Sequence, residues 1–413
     1  MTALAKDSDS RITIQKFGGS SVATPSRLKR IAQKIAQDRE RWDGMVIVVS
    51  AMGNTTDQLL SLAQRIAPAP SGRELDMLLS TGENITAPLL AMALHEQGID
   101  AISLTGLQAG ITTHGPHRHA RIADITPTRI LSALGQQAIP VVAGFQGATK
   151  ELDITTLGRG GSDTTAVALA AALKARQCEI YTDVDGVYTA DPRTVPEARR
   201  LMTISYTEML ELATLGAGVM HPRAVEIGET YNIPIWVRST FGKDDGTLIT
   251  RSVVEDRQRV RGIAQETNVA KLTVYGVPDR PGLAATIFEA LGEQGINVDM
   301  IVQNIARNGL MDLSFTVAES ELAHARPLLE KQCSILGGKG IDSATDVAKI
   351  SVVGTGMMHT PGAFATMFRA LANEGINIQM ISTSEIRVTC VIDEPSARQA
   401  VRALHKAYEL ETL

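Results

Sequence analysis

A duplicated segment in the last third of the chain constrains the fold more than any other feature of the sequence. Val269-Ala-Lys-Leu-Thr-Val opens one copy and Val347-Ala-Lys-Ile-Ser-Val opens the other. Each copy continues with a Pro-Gly turn, an amphipathic helix that runs into Gly-Ile-Asn, and a strand that ends in Met-Ile. The equivalent pairs are Pro281-Gly282 and Pro361-Gly362, Asn297 and Asn377, and Met300-Ile301 and Met380-Ile381. Self-similarity on this scale indicates two copies of one structural module.

The first copy predicts the order βαββαβ over residues 266–346. Strands are expected near Leu272, Val298, Leu313 and Ile341, with helices at 284–295 and 321–332. The second copy, 347–413, ends before its last strand. The strand-like segment 260–265, just before the first copy, can supply that strand. We therefore expect the first module to be inserted within a second module made of 260–265 and 347–413.

The first half of the chain alternates apolar strand-like runs with helical patterns. The runs are 12–17, 45–50, 101–105, 140–145, 179–183 and 234–238. Thr24 and Pro25 predict the start of one helix, whose apolar face is Leu28, Ile31, Ala32 and Ile35, and another helix is predicted at 164–175. Nearly continuous apolar strands separated by helices are typical of an α/β domain with a mostly parallel sheet covered on both faces. We assign this domain to 11–250, with a polar linker at 242–259.

The composition limits the classes of protein to which the chain can belong. The 413 residues are 44% hydrophobic, which is enough for two or three domains. A net charge of −5 argues against a nucleic-acid-binding protein. Neither an apolar run long enough to span a membrane nor an apolar secretory segment is visible in the sequence, so we expect a cytoplasmic protein. The three widely spaced cysteines fit reduced, buried thiols.

Two glycine-rich loops each precede a helix. The first is Lys16-Phe17-Gly18-Gly19-Ser20-Ser21, and the second is Gly158-Arg159-Gly160-Gly161-Ser162-Asp163-Thr164-Thr165. Adjacent glycines let the backbone approach an anion closely, and the start of a helix offers free N–H groups. Taken alone, the first loop is equally well an ordinary turn, and Ser162 and Asp163 can be simple helix caps. Capping does not account for Arg159 or for the run of glycines, so phosphate or carboxylate binding is the stronger interpretation of the pair.

Five motifs in order resemble those of aspartate kinases of the amino-acid kinase family. They are the two glycine loops, 50–57 (Ser-Ala-Met-Gly-Asn-Thr-Thr-Asp), Thr81-Gly82-Glu83, and 181–193 (Tyr-Thr-Asp-Val-Asp-Gly-Val-Tyr-Thr-Ala-Asp-Pro-Arg). The duplicated segment resembles the tandem ACT domains of those enzymes, so the resemblance covers the chain from Arg11 to its end. It implies ATP-dependent phosphorylation of the aspartate side chain, with Mg²⁺ held mainly through the nucleotide phosphates and no metal site built by the protein.

The resemblance also implies roles for individual residues. Lys16 would act on the transferring phosphoryl group, Asp163 would orient Lys16, and Arg159 would pair with a substrate carboxylate. Glu83 would face the α-amino group of aspartate. The remaining substrate residues would be Ser50, Thr56, Gly161 and Ser162, and the remaining nucleotide residues Gly18, Gly19, Thr182, Asp183, Tyr188 and Arg193.

Feedback control is a further implication. In ACT domains the turn before the first helix and the strand after it form an effector pocket, here represented by Asp279, Pro281, Gly282, Asn297, Gln303 and, in the second module, Asn377. The resemblance implies lysine and/or threonine as effectors and at least a homodimer formed through the ACT modules.

One departure from the family pattern keeps two alternatives open. Many relatives carry a lysine on the leaving phosphate where this chain has Gly218. Arg193 or Arg223 can supply the missing charge, or turnover is slower. The alternatives are a catalytically weak or silent ligand-sensing subunit and a related amino-acid kinase that uses another carboxylate. A metal site at His114, His117 and His119 is disfavoured, because no matching ligand pair occurs elsewhere.

Overall fold

The computed structural model describes residues 11–216, 218–242, 245–251, 260–305, 309–357 and 362–412. Two compact units are present. The first consists of Met1–Val187, Arg200–Thr214 and Gly218–Asp256, and the second of Tyr188–Arg199, Leu215–Ala217 and Arg257–Leu413. The segment Tyr188–Arg199 lies within the predicted α/β domain but packs as part of the second unit.

The first unit is an α/β domain. Its strands are β1 (Ile12–Phe17), β2 (Gly44–Val49), β3 (Ala101–Leu104), β4 (Ile111–His114), β5 (Arg121–Ile125), β6 (Ile139–Ala143), β7 (Gln146–Ala148), β8 (Ile154–Thr156), β9 (Gln177–Thr182), β10 (Thr203–Ser205), β11 (Ile235–Ser239) and β12 (Thr247–Thr250). Its α-helices are α1 (Pro25–Asp38), α2 (Thr55–Ile66), α3 (Gly72–Leu79), α4 (Thr81–His95), α5 (Thr128–Gly135), α6 (Gly161–Ala172), α7 (Tyr206–Thr214) and α8 (Pro222–Tyr231).

Eight strands form one sheet in the order β10-β12-β11-β9-β1-β2-β6-β3. Every neighbouring pair is parallel except β11 and β12. The mostly parallel sheet predicted from the apolar runs is therefore confirmed. A second sheet, β5-β4-β7-β8, was not predicted, because its strands are short and carry no continuous apolar run.

Local sequence explains how the two helices next to the predicted loops begin. The Thr24 hydroxyl accepts a hydrogen bond from the Arg27 N–H at the start of α1, and the predicted apolar face of that helix is buried. Helix α6 begins at Gly161, three residues earlier than predicted, and its residues are buried from Gly161 to Ala170. The glycine loop therefore runs directly into a helix that crosses the interior of the domain.

The second unit contains two four-stranded antiparallel sheets. Its strands are β13 (Gly262–Glu266), β14 (Val269–Pro278), β15 (Ile301–Ile305), β16 (Leu310–Ala318), β17 (Gly340–Ala344), β18 (Val347–Val353), β19 (Met380–Thr383) and β20 (Arg387–Asp393). Its α-helices are α9 (Leu283–Gly292), α10 (Leu322–Leu336), α11 (Ala363–Asn373) and α12 (Ala397–Ala407).

The strand order shows that one module is inserted in the other. One sheet is β15-β16-β14-β17 and the other is β13-β18-β20-β19. Strand β13 pairs antiparallel with β18, with Ile263 opposite Val352. The segment before the first copy thus supplies the missing strand of the second copy, as predicted.

The strand after the first helix of each module was wrongly placed. Strand β15 begins at Ile301, directly after Met300, and β19 begins at Met380, whereas the sequence pattern placed both Met-Ile pairs at the end of a strand. Val298 and Asn297 lie before β15, outside regular strand pairing. Met300 is buried in an apolar cluster with Val347 from the other module. The main chain of Asp299 and Met300 already bonds to Thr316 of β16, and regular pairing begins at Ile301. Pro361 of the second Pro-Gly turn and most of the predicted linker lie outside the described residues.

Two expectations from composition can be compared with the described residues. All three cysteines are buried and none forms a disulfide. Within the described part of the chain, the helices are all too short or too polar to cross a bilayer.

Candidate active site

The first unit contains a cavity of about 290 Å³ where the two glycine loops meet. It lies beside the carboxyl ends of β1, β2 and β6, which adjoin one another in the sheet. Ligands in open α/β sheets commonly bind at this edge. The cavity is lined by Lys16, Gly19, Ser50, Ala51, Gly53, Thr56, Glu83, Phe145, Gly158, Arg159, Gly160, Gly161, Ser162 and Asp163. Distant parts of the sequence therefore converge on one polar cavity.

Lys16 and Asp163 form a buried ion pair in this cavity. Lys16 belongs to β1 and Asp163 to the first turn of α6, and the Lys16 Nζ lies 2.6 Å from the Asp163 Oδ1. Both residues are only 8% exposed. A lysine held by a carboxylate has a fixed direction, so it can meet an anionic group without further reorganisation.

Glu83 is a buried carboxylate with one oxygen free to accept a ligand. Its Oε1 accepts a hydrogen bond from the Ala51 N–H at 3.0 Å, and its buried Oε2 has no hydrogen-bond partner among the described residues. Burial raises the pKa of Glu83 to about 7, and the hydrogen bond from Ala51 opposes that shift. An unpaired buried carboxylate oxygen at a cavity wall is suited to a cationic group such as an ammonium.

The second glycine loop is shaped by a close contact with His221. Gly160, which precedes α6, has a φ of 64°, in the left-handed region that favours glycine. A Cβ at Gly160 would lie 2.2 Å from the Cβ of His221, so a larger residue does not fit. Burial, followed by the Arg223 charge, lowers the pKa of His221. Glycine at position 160 lets the backbone turn tightly enough to present Arg159 to the cavity.

Phe145 is a cavity residue that the sequence did not identify. It follows β6 and has a φ of 70°, which is uncommon for a bulky residue and often marks a functional site. Its N–H donates to the Thr165 hydroxyl at 3.2 Å, and its carbonyl accepts from the Leu157 N–H at 2.9 Å. Gly144 before it was the available signal, since glycine at a strand end often marks a close approach of backbone or ligand.

Comparison with known proteins agrees with these motifs. Residues 11–239 match the amino acid kinase family, and residues 272–334 and 350–408 each match an ACT domain. An aspartokinase of Bacillus sp. (strain MGA3) is 50% identical over 400 residues, which cover 97% of each chain. The chain belongs to the aspartate kinase family.

Two solved structures of the family resemble the whole chain. E. coli aspartokinase III in complex with aspartate and ADP (R-state) has a TM-score of 0.83 at 26% identity, with 96% of this chain and 99% of that chain covered. The same E. coli protein in complex with lysine and aspartate (T-state) has a TM-score of 0.75 at 26% identity, with the same shares covered.

The nucleotide residues expected from the aspartate kinase family are distributed over the two units. Gly18 follows β1, and a Cβ at this position would lie 3.4 Å from the Lys16 Nζ. The Thr182 hydroxyl, at the end of β9, donates to the Asp183 carboxylate at 3.0 Å. Tyr188 and Arg193 belong to the second unit, where the Arg193 Nη2 lies 2.8 Å from the Asp191 Oδ2. None of these five residues (Gly18, Thr182, Asp183, Tyr188 and Arg193) lines the described cavity, which does contain Gly19.

The residues expected to bind effectors lie on exposed parts of the second unit. Asp279, Pro281 and Gly282 belong to the turn before α9, and Gly282, the residue just before that helix, has a φ of 89°. Asn297 and Asn377 are exposed in the equivalent loops after α9 and α11. Gln303 lies on β15, and its side-chain amide is 3.3 Å from the sulfur of Met311.

The substitution at Gly218 has a backbone explanation. Gly218 has a φ of 65°, a conformation that lysine adopts only at a cost. One of the two arginines considered as a replacement has another task. The Arg223 Nη1 donates to the main-chain carbonyls of Leu157 and Ala120, at 3.0 and 3.3 Å.

Proposed function

We propose that this protein transfers the γ-phosphoryl group of ATP to the side-chain carboxylate of L-aspartate and forms 4-phospho-L-aspartate. This reaction is the first step of the pathway from aspartate to lysine, threonine, methionine and isoleucine. The observation that carries the proposal is the cavity that joins Lys16, Asp163, Arg159 and Glu83. Lys16 and Arg159 can bind anionic groups, and the free Glu83 oxygen can accept a hydrogen bond from an ammonium. This set of groups matches aspartate, with its two carboxylates and one ammonium, bound beside a phosphate.

Each group has a distinct task in the proposed reaction. The free Oε2 of Glu83 receives the α-ammonium of aspartate, and the Arg159 guanidinium binds a substrate carboxylate through paired N–H donors. Ser50, Thr56, Gly161 and Ser162 complete the walls of the aspartate pocket. The Lys16 Nζ, directed by Asp163, contacts the phosphoryl group in transfer.

The chemical step requires charge stabilisation and positioning more than proton transfer. A side-chain oxygen of aspartate attacks the γ-phosphorus, and the bond from that phosphorus to the β,γ-bridging oxygen breaks as ADP leaves. An aspartate carboxyl has a reference pKa near 3.9, so the nucleophile is ionised without a general base. Two anions must approach each other, and the fixed charges of Lys16 and Arg159 offset their repulsion.

Nucleotide binding is assigned from the family pattern. We place Gly18, Gly19, Thr182, Asp183, Tyr188 and Arg193 at the nucleotide, together with Lys16. Mg²⁺ bound to the ATP phosphates would neutralise part of their charge, and it keeps most of its other ligands as water.

We further propose that residues 11–250 form the catalytic domain, and that the modules 266–346 and 260–265 plus 347–413 regulate it. Lysine and/or threonine would bind at Asp279, Pro281, Gly282, Asn297 and Gln303, and at Asn377 in the second module. The lysine complex of E. coli aspartokinase III supports this class of effector. A homo-oligomer, at least a dimer formed through the modules, and a cytoplasmic location complete the proposal.

The test is ATP-dependent hydroxamate formation in the presence of hydroxylamine, which traps acyl phosphates. Parallel reactions contain aspartate, glutamate or no amino acid, and each is repeated without Mg²⁺. We expect product with aspartate but not with glutamate or without an amino acid, and only when Mg²⁺ is present. Product with glutamate but not aspartate would indicate a different amino-acid kinase, and no product with any substrate would indicate a ligand-sensing subunit.

A further inference from the structure

We infer that Asp76 is a positioning residue for Arg159, a role that rests on the proposed aspartate site. Asp76 lies on α3, is fully buried, and does not line the cavity. Buried carboxylates are costly unless several donors satisfy them, so a fully buried one generally has a specific task. The hydrogen-bond partners of Asp76 show what this task is.

Both oxygens of Asp76 accept hydrogen bonds from the segment just before Arg159. The Thr156 hydroxyl donates to Oδ1 at 2.6 Å, and the Thr156 N–H donates to Oδ2 at 3.0 Å. Thr156 is the last residue of β8 and stands three positions before Arg159. Only Leu157 and Gly158 separate this anchor from the arginine, so a shift of Thr156 displaces the Arg159 backbone.

The same carboxylate also holds a second loop against that segment. The Arg118 N–H lies 3.1 and 2.9 Å from the two oxygens of Asp76, and the His117 Nδ1 lies 2.9 Å from Oδ2. The Arg118 carbonyl in turn limits the space at Gly158, where a Cβ would approach it to 3.0 Å. Gly158 has a φ of 78°, so the chain bends at this contact and directs Arg159 to the cavity.

A further set of hydrogen bonds fixes the geometry from the other side. The Ala120 N–H donates to the Thr156 carbonyl at 3.1 Å. The Arg223 guanidinium bridges the carbonyls of Ala120 and Leu157. The main chain of Thr156 and Leu157 is thus bound on both sides, with the buried Asp76 carboxylate as the shared acceptor. Preorganisation of this kind is required for a guanidinium that must meet a carboxylate in one orientation.

The role predicts a selective kinetic defect. Asp76→Asn keeps the shape but replaces one acceptor oxygen by an NH₂ group that faces N–H and O–H donors. We expect the KM for aspartate to rise by about 10- to 100-fold, since small misplacements of a positioning group have effects of this size. The KM for ATP should change less than threefold, because Lys16 and its loop are not bound to Asp76.

Thr156 offers a milder and better matched pair of variants. Thr156→Val removes the hydroxyl that donates to Asp76 and keeps the shape, whereas Thr156→Ser keeps the hydroxyl. We expect Thr156→Val to raise the KM for aspartate in the same direction as Asp76→Asn, and Thr156→Ser to stay near the wild-type value. A general packing defect would not depend on whether the hydroxyl is present. If Asp76→Asn does not fold, the two Thr156 variants still test whether the bond to Asp76 positions Arg159.

A double-mutant cycle tests whether the effect passes through Arg159. Thr156→Val and Asp76→Asn are each combined with Arg159→Lys, and the KM for aspartate is measured by the hydroxamate assay. If Asp76 acts by positioning Arg159, the combined variants should be little worse than Arg159→Lys alone. Additive effects, an unchanged KM for aspartate in a folded Asp76→Asn or Thr156→Val variant, or an equal rise in the KM for ATP would overturn the inference. Wild-type protein without aspartate-dependent product would overturn the proposed function and this inference with it.

Discussion

Each of the two units contains a buried lysine that faces a carboxylate. The surroundings of the two lysines differ, and the difference distinguishes the proposed catalytic lysine from a structural one. Lys16 of the first unit is 8% exposed and Lys349 of the second is 5% exposed. Among the described residues Lys16 has one carboxylate partner, Asp163, and it lines a cavity. Lys349, on β18, lies between Glu266 and Asp299, with its Nζ 2.6 Å from the Glu266 Oε2. A cation beside a cavity can act on a ligand, whereas one enclosed by two carboxylates has its charge compensated by the protein.

The duplication shows what Lys349 does. Lys271 occupies the same position in the first copy, and Gln379 occupies the position of Asp299 in the second. Each lysine reaches across to the other module: Lys349 pairs with Asp299, and the Lys271 Nζ donates to Gln379 at 2.8 Å. Valine and methionine pairs from both modules pack beside these contacts. The repeat thus joins its two modules by equivalent contacts, of which only one is ionic.

The largest expected effect separates Lys16 from Lys349. Lys16→Ala should lower kcat by about 100- to 1000-fold, as expected for loss of a charge that stabilises the transition state. The KM for aspartate should change much less. Lys349→Met in the same assay should retain near-normal kcat. A folded Lys16→Ala variant with normal kcat would remove the distinction between the two lysines.

The second prediction compares Lys349 with its repeat equivalent. Lys349→Met leaves two carboxylates without their cation and should reduce the free energy of unfolding by about 2 kcal/mol. Lys271→Met removes a hydrogen bond to a neutral amide and should cost about 1 kcal/mol. Denaturant unfolding of the full chain measures both. Equal losses would mean that the ionic character of the Lys349 contact has no energetic consequence.

The sequence predicted the elements of the fold well, because its apolar runs and its repeat are local signals. It identified the strand at 260–265 and thereby the inserted module, and it named most residues of the cavity wall. It did not find Phe145, whose place depends on a left-handed backbone after β6, or the small sheet that carries Thr156. Asp76 was also missed, because a carboxylate on an ordinary helix shows its burial only when α3, β8 and the 117–118 loop are packed together.

The doubt raised by Gly218 illustrates the same limit. The sequence pattern treats its glycine as the loss of a cation, whereas the backbone conformation at φ 65° gives glycine a role of its own. A comparison of motifs shows which residue occupies a position, but it does not show the backbone conformation at that position.

The third prediction uses the ionisation of Glu83. The α-ammonium of aspartate requires the ionised carboxylate, and the pKa of Glu83 in the free protein is about 7. Well below pH 7, where Glu83 is mostly protonated, kcat/KM for aspartate should fall by about tenfold per pH unit. Well above pH 7 the group is ionised and the profile should be level. Glu83→Gln should have a high KM for aspartate and lose this pH dependence. A level wild-type profile between pH 5.5 and 8 would contradict the assignment.

The smallest expected effect concerns the exposed turn before α9. Asp279→Ala should raise the effector concentration that gives half-inhibition by about fivefold or more, and kcat without effector should stay the same, because allosteric coupling is a difference between two states. Dose–response curves with lysine, threonine and both together measure this. Full activity of the wild-type protein at millimolar concentrations of both amino acids would refute the regulatory assignment but not the proposed kinase reaction.

A crystal structure with aspartate and a non-hydrolysable ATP analogue tests the central claim most directly. The account predicts aspartate in the 290 Å³ cavity. Its ammonium should lie about 3 Å from the Glu83 Oε2, a carboxylate should rest on the Arg159 guanidinium, and the terminal phosphate should contact the Lys16 Nζ. Aspartate bound outside the cavity, or bound within it with its ammonium directed away from Glu83, would contradict the account.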